Sequence, residues 1–479
     1  MTGIRAPNQG IARFRSVYLL LGIAVLALVL RVVVSAELPA DTWKEISQLR
    51  GGDSRRFARQ ATCLAELTSF PTTTLPPGYP IFLAPFVAMS ISPRAAICFQ
   101  VFFSVLVPLI LYLNLRHLQA RLSLILLVTS LFYPWGANYS TRLMSETLGY
   151  LLILCFVTAL ASLISRPENP KTRLFLTGCS GMSACLTCPA ATPTVALLII
   201  VLCLSRIFLW KQKSIALLGV MCILMPWQIH CIKMTGRPAY ALLHKLPNTT
   251  PGFGSWIKTW VIHPYELTIA ARAYIWTPTG STTNYEGIPD RAYATAESRR
   301  HIEATATRVF TDKQITAGVS EKSEEAGNVS RSVGKVDVLL KNEAGAIIDQ
   351  RGRLRSLGTT LIRSCWYWCG MGSLDVFGDA IYRGGAHPML AIFLHFVHLT
   401  FIACAFLPWC FRKTWHNPYA IAVILGILTF TLISGFQAMG EYRRILPLLP
   451  LLVLGWINTN RVPQSQELQA EIDCETVEL

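Results

Sequence analysis

The chain has 479 residues, of which 52% are hydrophobic and only 15% charged. The apolar residues gather into runs of membrane-spanning length, which excludes a soluble domain around one core and fits a polytopic membrane protein. The formal charge of +16 would suggest nucleic acid in a soluble protein, but here Lys and Arg lie largely in short loops between apolar runs, so no nucleic-acid partner is expected.

Apolar runs occur at about 16–36, 95–115, 121–138, 147–164, 173–189, 191–209, 212–230, 387–411, 417–436 and 442–458. About ten transmembrane helices are therefore expected in an all-α bundle. The first run follows Arg5, Arg13 and Arg15; it exceeds the roughly 7–15 residues of a signal-peptide core and reads as an uncleaved span. The run Pro76–Ser92 is short, opens on Pro76-Pro77-Gly78-Tyr79-Pro80 and contains Pro85. It is expected as a re-entrant or surface-lying outer segment, because the prolines shorten any helix it forms.

Counting that run as a span would reverse the side of every later loop, and charge arbitrates. With ten spans and a cytoplasmic N-terminus, the cytoplasmic segments and adjoining helix ends carry fourteen Lys and Arg, among them Arg116, Lys171 and Arg412, against only Arg142, Arg443 and Arg444 in the short outer turns. That bias favours the ten-span arrangement, with both termini inside. It divides the chain into 1–230 with seven spans and an outer loop at 37–94, an extracytoplasmic domain at 231–386, three spans in 387–458, and a cytoplasmic tail at 459–479. The 231–386 segment shows helical period in Val336-Asp337-Val338-Leu339-Leu340 and polar Gly/Pro stretches between, so helices joined by loops are expected there. Thr311–Arg331 is poor in apolar residues and is expected as a loop. Most of the 14 cysteines sit inside apolar runs as small hydrophobes. Cys185-Leu186-Thr187-Cys188 has no second pair, so it is not read as a metal or redox centre.

Three carboxylates fall at the outer ends of apolar runs: Asp53 in Gly51-Gly52-Asp53-Ser54, Glu146 in Ser145-Glu146-Thr147-Leu148, and Glu441 in Glu441-Tyr442-Arg443-Arg444. Asp53 reads as a helix cap after two glycines, as a loop ion pair with Arg55 or Arg56, or as a catalytic carboxylate, and Glu146 either as a carboxylate favoured by a helix N-terminus or as a site residue. Arg443 and Arg444 run against the charge bias, and guanidinium geometry suits phosphate; snorkelling to lipid headgroups is the alternative. His395 and His398 inside a span are read as interhelical hydrogen-bonding residues.

In this order, Gly52-Asp53-Ser54, Pro77-Gly78-Tyr79-Pro80, Ser145-Glu146-Thr147-Leu148, Pro226-Trp227-Gln228-Ile229 and Glu441-Tyr442-Arg443-Arg444 followed by Leu446-Pro447 resemble the GT-C superfamily of membrane glycosyltransferases. The resemblance is to the group similar to dolichyl-phosphate-mannose protein mannosyltransferases and to the aminoarabinose transferase of lipid A. It implies a polyprenyl-phosphate sugar donor, an extracytoplasmic active site, and Asp53 as the residue that takes a proton from the acceptor hydroxyl. Glu146 would orient the acceptor or, as in metal-using branches, help hold a divalent cation through oxygen ligands; no further cofactor is implied. Arg443, Arg444, Tyr442 and Arg142 are the candidates for the donor phosphate, and Glu441 and Tyr79 for support of the acceptor and the site. Where many relatives have an Arg-Pro pair after the fifth span, this chain has Cys188-Pro189.

The expected function is transfer of a sugar from the lipid carrier to a lipid, glycan or protein acceptor, with inversion, in the cytoplasmic membrane if the source is bacterial. A flippase or transporter of lipid-linked sugars is the alternative, as is a nonenzymatic cell-envelope assembly protein. Transporters commonly show repeated halves and broken helices, neither of which is visible in this sequence.

Overall fold

The structure is a computed structural model. It describes residues 8–33, 42–48, 53–66, 77–117, 120–133, 140–165, 170–205, 208–235, 251–261, 287–317, 325–352, 418–436 and 448–452, with isolated positions such as 285 and pieces within 266–274, 358–362 and 396–410. Every regular element among the described residues is helical: α1 (Asn8–Val33), α2 (Trp43–Gln48), α3 (Asp53–Ala65), α4 (Gly78–Ala88), α5 (Pro93–Leu115), α6 (Ala120–Phe132), α7 (Ser145–Ser165), α8 (Lys171–Thr187), α9 (Thr192–Leu204), α10 (Trp210–Thr235), α11 (Pro251–Trp260), α12 (Ala296–Ala317), α13 (Glu325–Arg351), α14 (Pro418–Phe436) and α15 (Leu449–Leu452), with short 3-10 turns between some of them. Of these, α5, α7 and α10 are long and apolar enough to cross a membrane, so the chain is an integral membrane protein. The runs expected at 387–411 and 442–458 fall largely outside the described residues, as do His395 and His398.

The chain forms two compact units, one of residues 1–244, 400–427 and 443–479 and the other of 245–399 and 428–442. In the first, α8 packs between α7 and α10. Glycine makes the α8–α10 contact close: a Cβ on Gly178 would collide with the Ala216 carbonyl, and one on Gly219 with that of Phe175. Lipid supplies no hydrophobic drive between spans, so such backbone-to-backbone approach is a main source of their attraction.

A buried cation fastens α1 to its neighbours. Arg31 is only 1% exposed, and it donates from Nε to Ser104 Oγ at 2.7 Å, from Nη1 to Ala27 O at 2.9 Å and Leu131 O at 3.0 Å, and from Nη2 to Ser130 O at 3.3 Å and Ser104 O at 3.4 Å. Ser130 and Leu131 lie in the last turn of α6, where carbonyls lack intrahelical partners and carry the negative end of the helix dipole. A guanidinium therefore meets its hydrogen-bonding and charge requirements there without a carboxylate. Ala27, Val105, Leu127 and Leu131 pack around the same junction.

The segment before α5 has a different character. Ser92 caps α5 through Oγ, with Pro93 as the first helical residue. Preceding it, α4 is 11 residues long with Pro85 inside, about 16 Å at a rise of ~1.5 Å per residue. Both ends of that segment touch the chain that precedes it: the Tyr79 ring packs edge-on to Phe57 at 4.9 Å, and Trp43 Nε1 donates to Ile91 O at 2.7 Å. Trp43, Ile46, Phe57, Tyr79, Leu83, Phe86 and Leu143 form one buried cluster here.

In the second unit, α13 packs against both α11 and α12. Asp337 of α13 accepts from Phe253 N at 2.9 Å, capping α11; Thr295 and Ser298 exchange side-chain-to-backbone bonds at the start of α12. Phe253, Trp256, Trp260, Tyr274, Tyr293, Leu340 and Ile347 make the core, and Trp256 Nε1 donates to Ala292 O at 2.6 Å. One expectation is corrected: within Thr311–Arg331, α12 continues to Ala317 and α13 begins at Glu325, so only 318–324 of the expected loop falls outside the described residues. Low apolar content argues against burial, not against helix, and Lys313, Gln314, Glu325 and Ala326 are all strong helix formers.

Candidate active site

Several chain segments converge where α7 begins. Gly51 and Gly52 precede α3, which starts at Asp53, and the next residue, Ser54, donates from Oγ to Leu143 O at 3.2 Å. This bond ties the Asp53 end of α3 to the short stretch that leads into α7. From α4, Tyr79 is fully buried and donates its phenol to Gln100 Oε1 at 2.9 Å; Gln100 Nε2 donates in turn to Ser140 O at 3.0 Å and Arg142 O at 2.8 Å. A glutamine on an apolar helix thereby fixes the backbone of residues 140–142. With its oxygen committed to Tyr79 and its nitrogen to two carbonyls, only one orientation of the Gln100 amide serves.

Glu146 occupies the first turn of α7 and is buried, with Ser145 Oγ 3.4 Å from Oε2. A carboxylate at a helix N-terminus gains from the exposed N–H groups and the dipole. Burial pushes the Tyr79 phenol well above its ordinary value, and the Glu146 charge raises it further. Tyr79 therefore stays protonated, as its hydrogen bond to Gln100 requires.

The end of α8 closes the far side. A Cβ on Gly78 would collide with Thr187, and one on Gly149 would lie 2.7 Å from Cys188 Cβ, so both glycines are sites of close approach. Cys188 is buried against α7, three residues on from Glu146.

Around this cluster buried polar atoms of three side chains have no hydrogen-bond partner among the described residues: Arg142 Nε, Thr147 Oγ1 and both amide atoms of Gln60, one turn beyond Phe57. Buried polar groups are nearly always satisfied, so unpaired ones mark where a ligand or water is gained. Beside them runs a groove of about 260 Å³ between α5 and α7, lined by Phe82, Gln100, Phe103, Val107, Leu148, Leu151, Leu152 and Cys155. Gln100 belongs both to this apolar groove and to the polar cluster.

Of the residues nominated from sequence, Tyr79, Arg142 and Glu146 come together with the start of α3 at Asp53. Glu441, Tyr442, Arg443 and Arg444 lie outside the described residues. Among the described residues no group of three or more His, Cys, Asp or Glu is placed to hold a metal ion. Sequence reasoning missed Gln100 and Gln60; a polar residue inside an apolar run was the available signal for Gln100.

No protein-family model matches the chain, and no curated protein matches it. A solved structure, ArnT from Cupriavidus metallidurans in the apo state, overlays with a TM-score of 0.38 at 14% identity, covering 93% of this chain and 78% of that chain. At that similarity no residue role passes from one protein to the other.

Proposed function

We propose that this protein is a GT-C-type glycosyltransferase that moves a sugar from a polyprenyl-phosphate carrier to an acceptor at the outer face of the membrane. The observation that carries the reading is the apolar groove of about 260 Å³ that reaches Gln100, beside the polar cluster of Tyr79, Arg142 and Glu146. A lipid-linked sugar has these two parts, an apolar chain and a charged, hydroxyl-rich head, and the paired surfaces suit both.

In this reading the isoprenoid lies along α5 and α7 and its phosphate meets Arg142, whose buried Nε lacks a partner. Arg443 and Arg444, with Tyr442, add donors to the same phosphate. Asp53 takes the proton of the acceptor hydroxyl as its oxygen attacks the anomeric carbon. The bond from that carbon to the phosphate oxygen breaks, its electron pair passes to the leaving polyprenyl phosphate, and the arginines stabilise the charge. Glu146 orients the acceptor, with Glu441 and Tyr79 in support. A single displacement inverts the anomeric centre.

Contacts from both ends of the α4 segment to the stretch that includes Trp43 and Phe57 support a non-crossing α4, and the outer side rests on the bias of Lys and Arg. The 231–386 domain would then be extracytoplasmic, and both termini cytoplasmic. The test is reconstitution in lipid vesicles with candidate polyprenyl-phosphate sugars, following release of polyprenyl phosphate by wild type and Asp53→Asn. Loss of a catalytic base predicts a fall of about 10²-fold or more. Equal turnover by the variant removes Asp53 from the mechanism, and no turnover with any donor supports transport or assembly instead.

A further inference from the structure

We propose that the second unit carries its own binding site, for an acidic saccharide, where the ends of α11 and α13 meet. A cavity of about 380 Å³ opens there, walled by Thr259, Trp260, Arg291, Ile347, Arg351 and Thr359 among others. Its size falls in the range of small-molecule sites, about 300–1,000 Å³.

Charge selects the ligand's sign. Among the described residues the lining includes Arg291 and Arg351 but no acidic residue. Arg291 is ion-paired to Glu266, which offsets its charge, so Arg351 supplies the cationic part of the described wall. Arg351 Nη2 donates to Arg291 O at 2.6 Å, which holds the guanidinium at the cavity rim. A planar guanidinium matches a carboxylate or phosphate through paired N–H donors.

The helix ends select for more than a bare anion. Trp260 is the last residue of α11 and Arg351 the last of α13, and both line the cavity. Final-turn carbonyls of a helix lack intrahelical partners and carry negative partial charge, so they repel an isolated anion and accept from hydroxyl groups. A sugar that bears an acid satisfies both demands, with hydroxyls on the carbonyl ends and the acid on the arginines. Thr259 donates its hydroxyl to Trp256 O at 2.7 Å and keeps lone pairs to accept from a sugar O–H. Ile347, Ile348 and Ile362 give an apolar wall for the C–H face of the ring.

Trp260 adds an independent sign. It is 1% exposed, and its indole N–H is buried without an acceptor among the described residues. An unpaired buried donor is costly, and an oxygen seated against that wall would supply an acceptor. Arg351 also suits its helix C-terminus by charge alone, and that structural role predicts no ligand.

Identifying the occupant as the transferase's acceptor glycan rests on the function proposed above; the acid-saccharide site does not. The experiment is calorimetric titration of the purified full-length protein with glucuronate, glucose 1-phosphate, methyl glucoside and inorganic phosphate. Saturable binding of both acidic sugars is expected, with the neutral glycoside and inorganic phosphate weaker by about tenfold or more. Arg351→Gln weakens the acidic sugars by about tenfold, Arg351→Lys, which keeps the charge and loses the fork, by less, and Trp260→Phe weakens them with the fold intact. Acid-sugar binding by a protein that cleaves no donor would uphold this site while the transferase reading fails. Absence of saturable binding, equal affinity for methyl glucoside, or unchanged affinity in Arg351→Gln would overturn the proposal.

Discussion

Tyr79 donates to Gln100 across 2.9 Å, and Gln100 passes the constraint to the carbonyls of Ser140 and Arg142. One phenol at the start of α4 thereby helps set the path of the chain that enters α7 at Glu146. Tyr79→Phe removes the donor and leaves Gln100 Oε1 buried and short of a partner, at a cost of about 1–3 kcal/mol. Thermal unfolding in detergent should register that loss, and donor turnover should fall further than stability does, because Glu146 loses its positioning. Gln100→Leu should lower turnover similarly; wild-type turnover in both variants would show that the network is structural padding.

Arg31 makes five hydrogen bonds and meets no carboxylate among them. Arg31→Met removes the charge but strands the carbonyls of Ser130 and Leu131, so a destabilisation of about 2–4 kcal/mol is expected. Arg31→Lys has three donors for five positions and should fall between. Unfolding midpoints of the three proteins in one detergent check the order, and Arg31→Met at wild-type stability would refute the clamp.

Apolar run length, a local property, was enough to locate most of the described helices. The run at 147–164 appears as Ser145–Ser165 and that at 173–189 as Lys171–Thr187, since about 20 apolar residues need a helix to satisfy their backbone in lipid. What sequence did not show is which ends meet. Nothing in the run around Arg31 says that it points at the last turn of α6, and Gln60 looks like one more polar residue of a surface helix. Glu146 was legible as a carboxylate at a helix start, but its proximity to Tyr79 depends on α4 and α7 being brought together by Gln100. Helical continuation through Thr311–Ala317 does not show in apolar content, because an exposed helix needs propensity and not burial.

The α4 segment carries a topological prediction. Ser90, exposed at its end with a φ of 54°, should be labelled from outside the cell as Ser90→Cys by a membrane-impermeant maleimide, in a background where Cys98 is replaced by Ser. The same reagent should reach a cysteine placed at Lys44. Labelling of the Lys44→Cys protein from outside and of Ser90→Cys only from the cytoplasm would make α4 a crossing element and separate the two halves of the candidate site.

In the second unit, Tyr274 and Tyr293 share a hydrogen bond at 3.0 Å, and burial, before any neighbouring charge, pushes both phenols up. The folded form therefore keeps protons that the unfolded chain, with tyrosines near pKa 10, gives up. Their contribution is full below about pH 10 and is lost as pH rises beyond it, by roughly 1.4 kcal/mol per pH unit for each phenol. Tyr274→Phe should cost stability at neutral pH through the lost hydrogen bond, yet flatten the alkaline decline. Denaturant unfolding between pH 8 and pH 11, on a scale set by those ordinary tyrosine values, checks this, and an unchanged slope in the variant would count against it.

The N-terminal end of α7, proposed above as the catalytic face of a lipid-linked sugar transferase, is tested most directly by one comparison. Wild type, Glu146→Gln and Asp53→Asn are reconstituted side by side with a polyprenyl-phosphate sugar and acceptor, and released polyprenyl phosphate is quantified. The predicted result is release by wild type and a fall of about 10²-fold or more in Asp53→Asn, with a comparable loss in Glu146→Gln and intact unfolding transitions in both. Release at the wild-type rate by both variants would contradict the account.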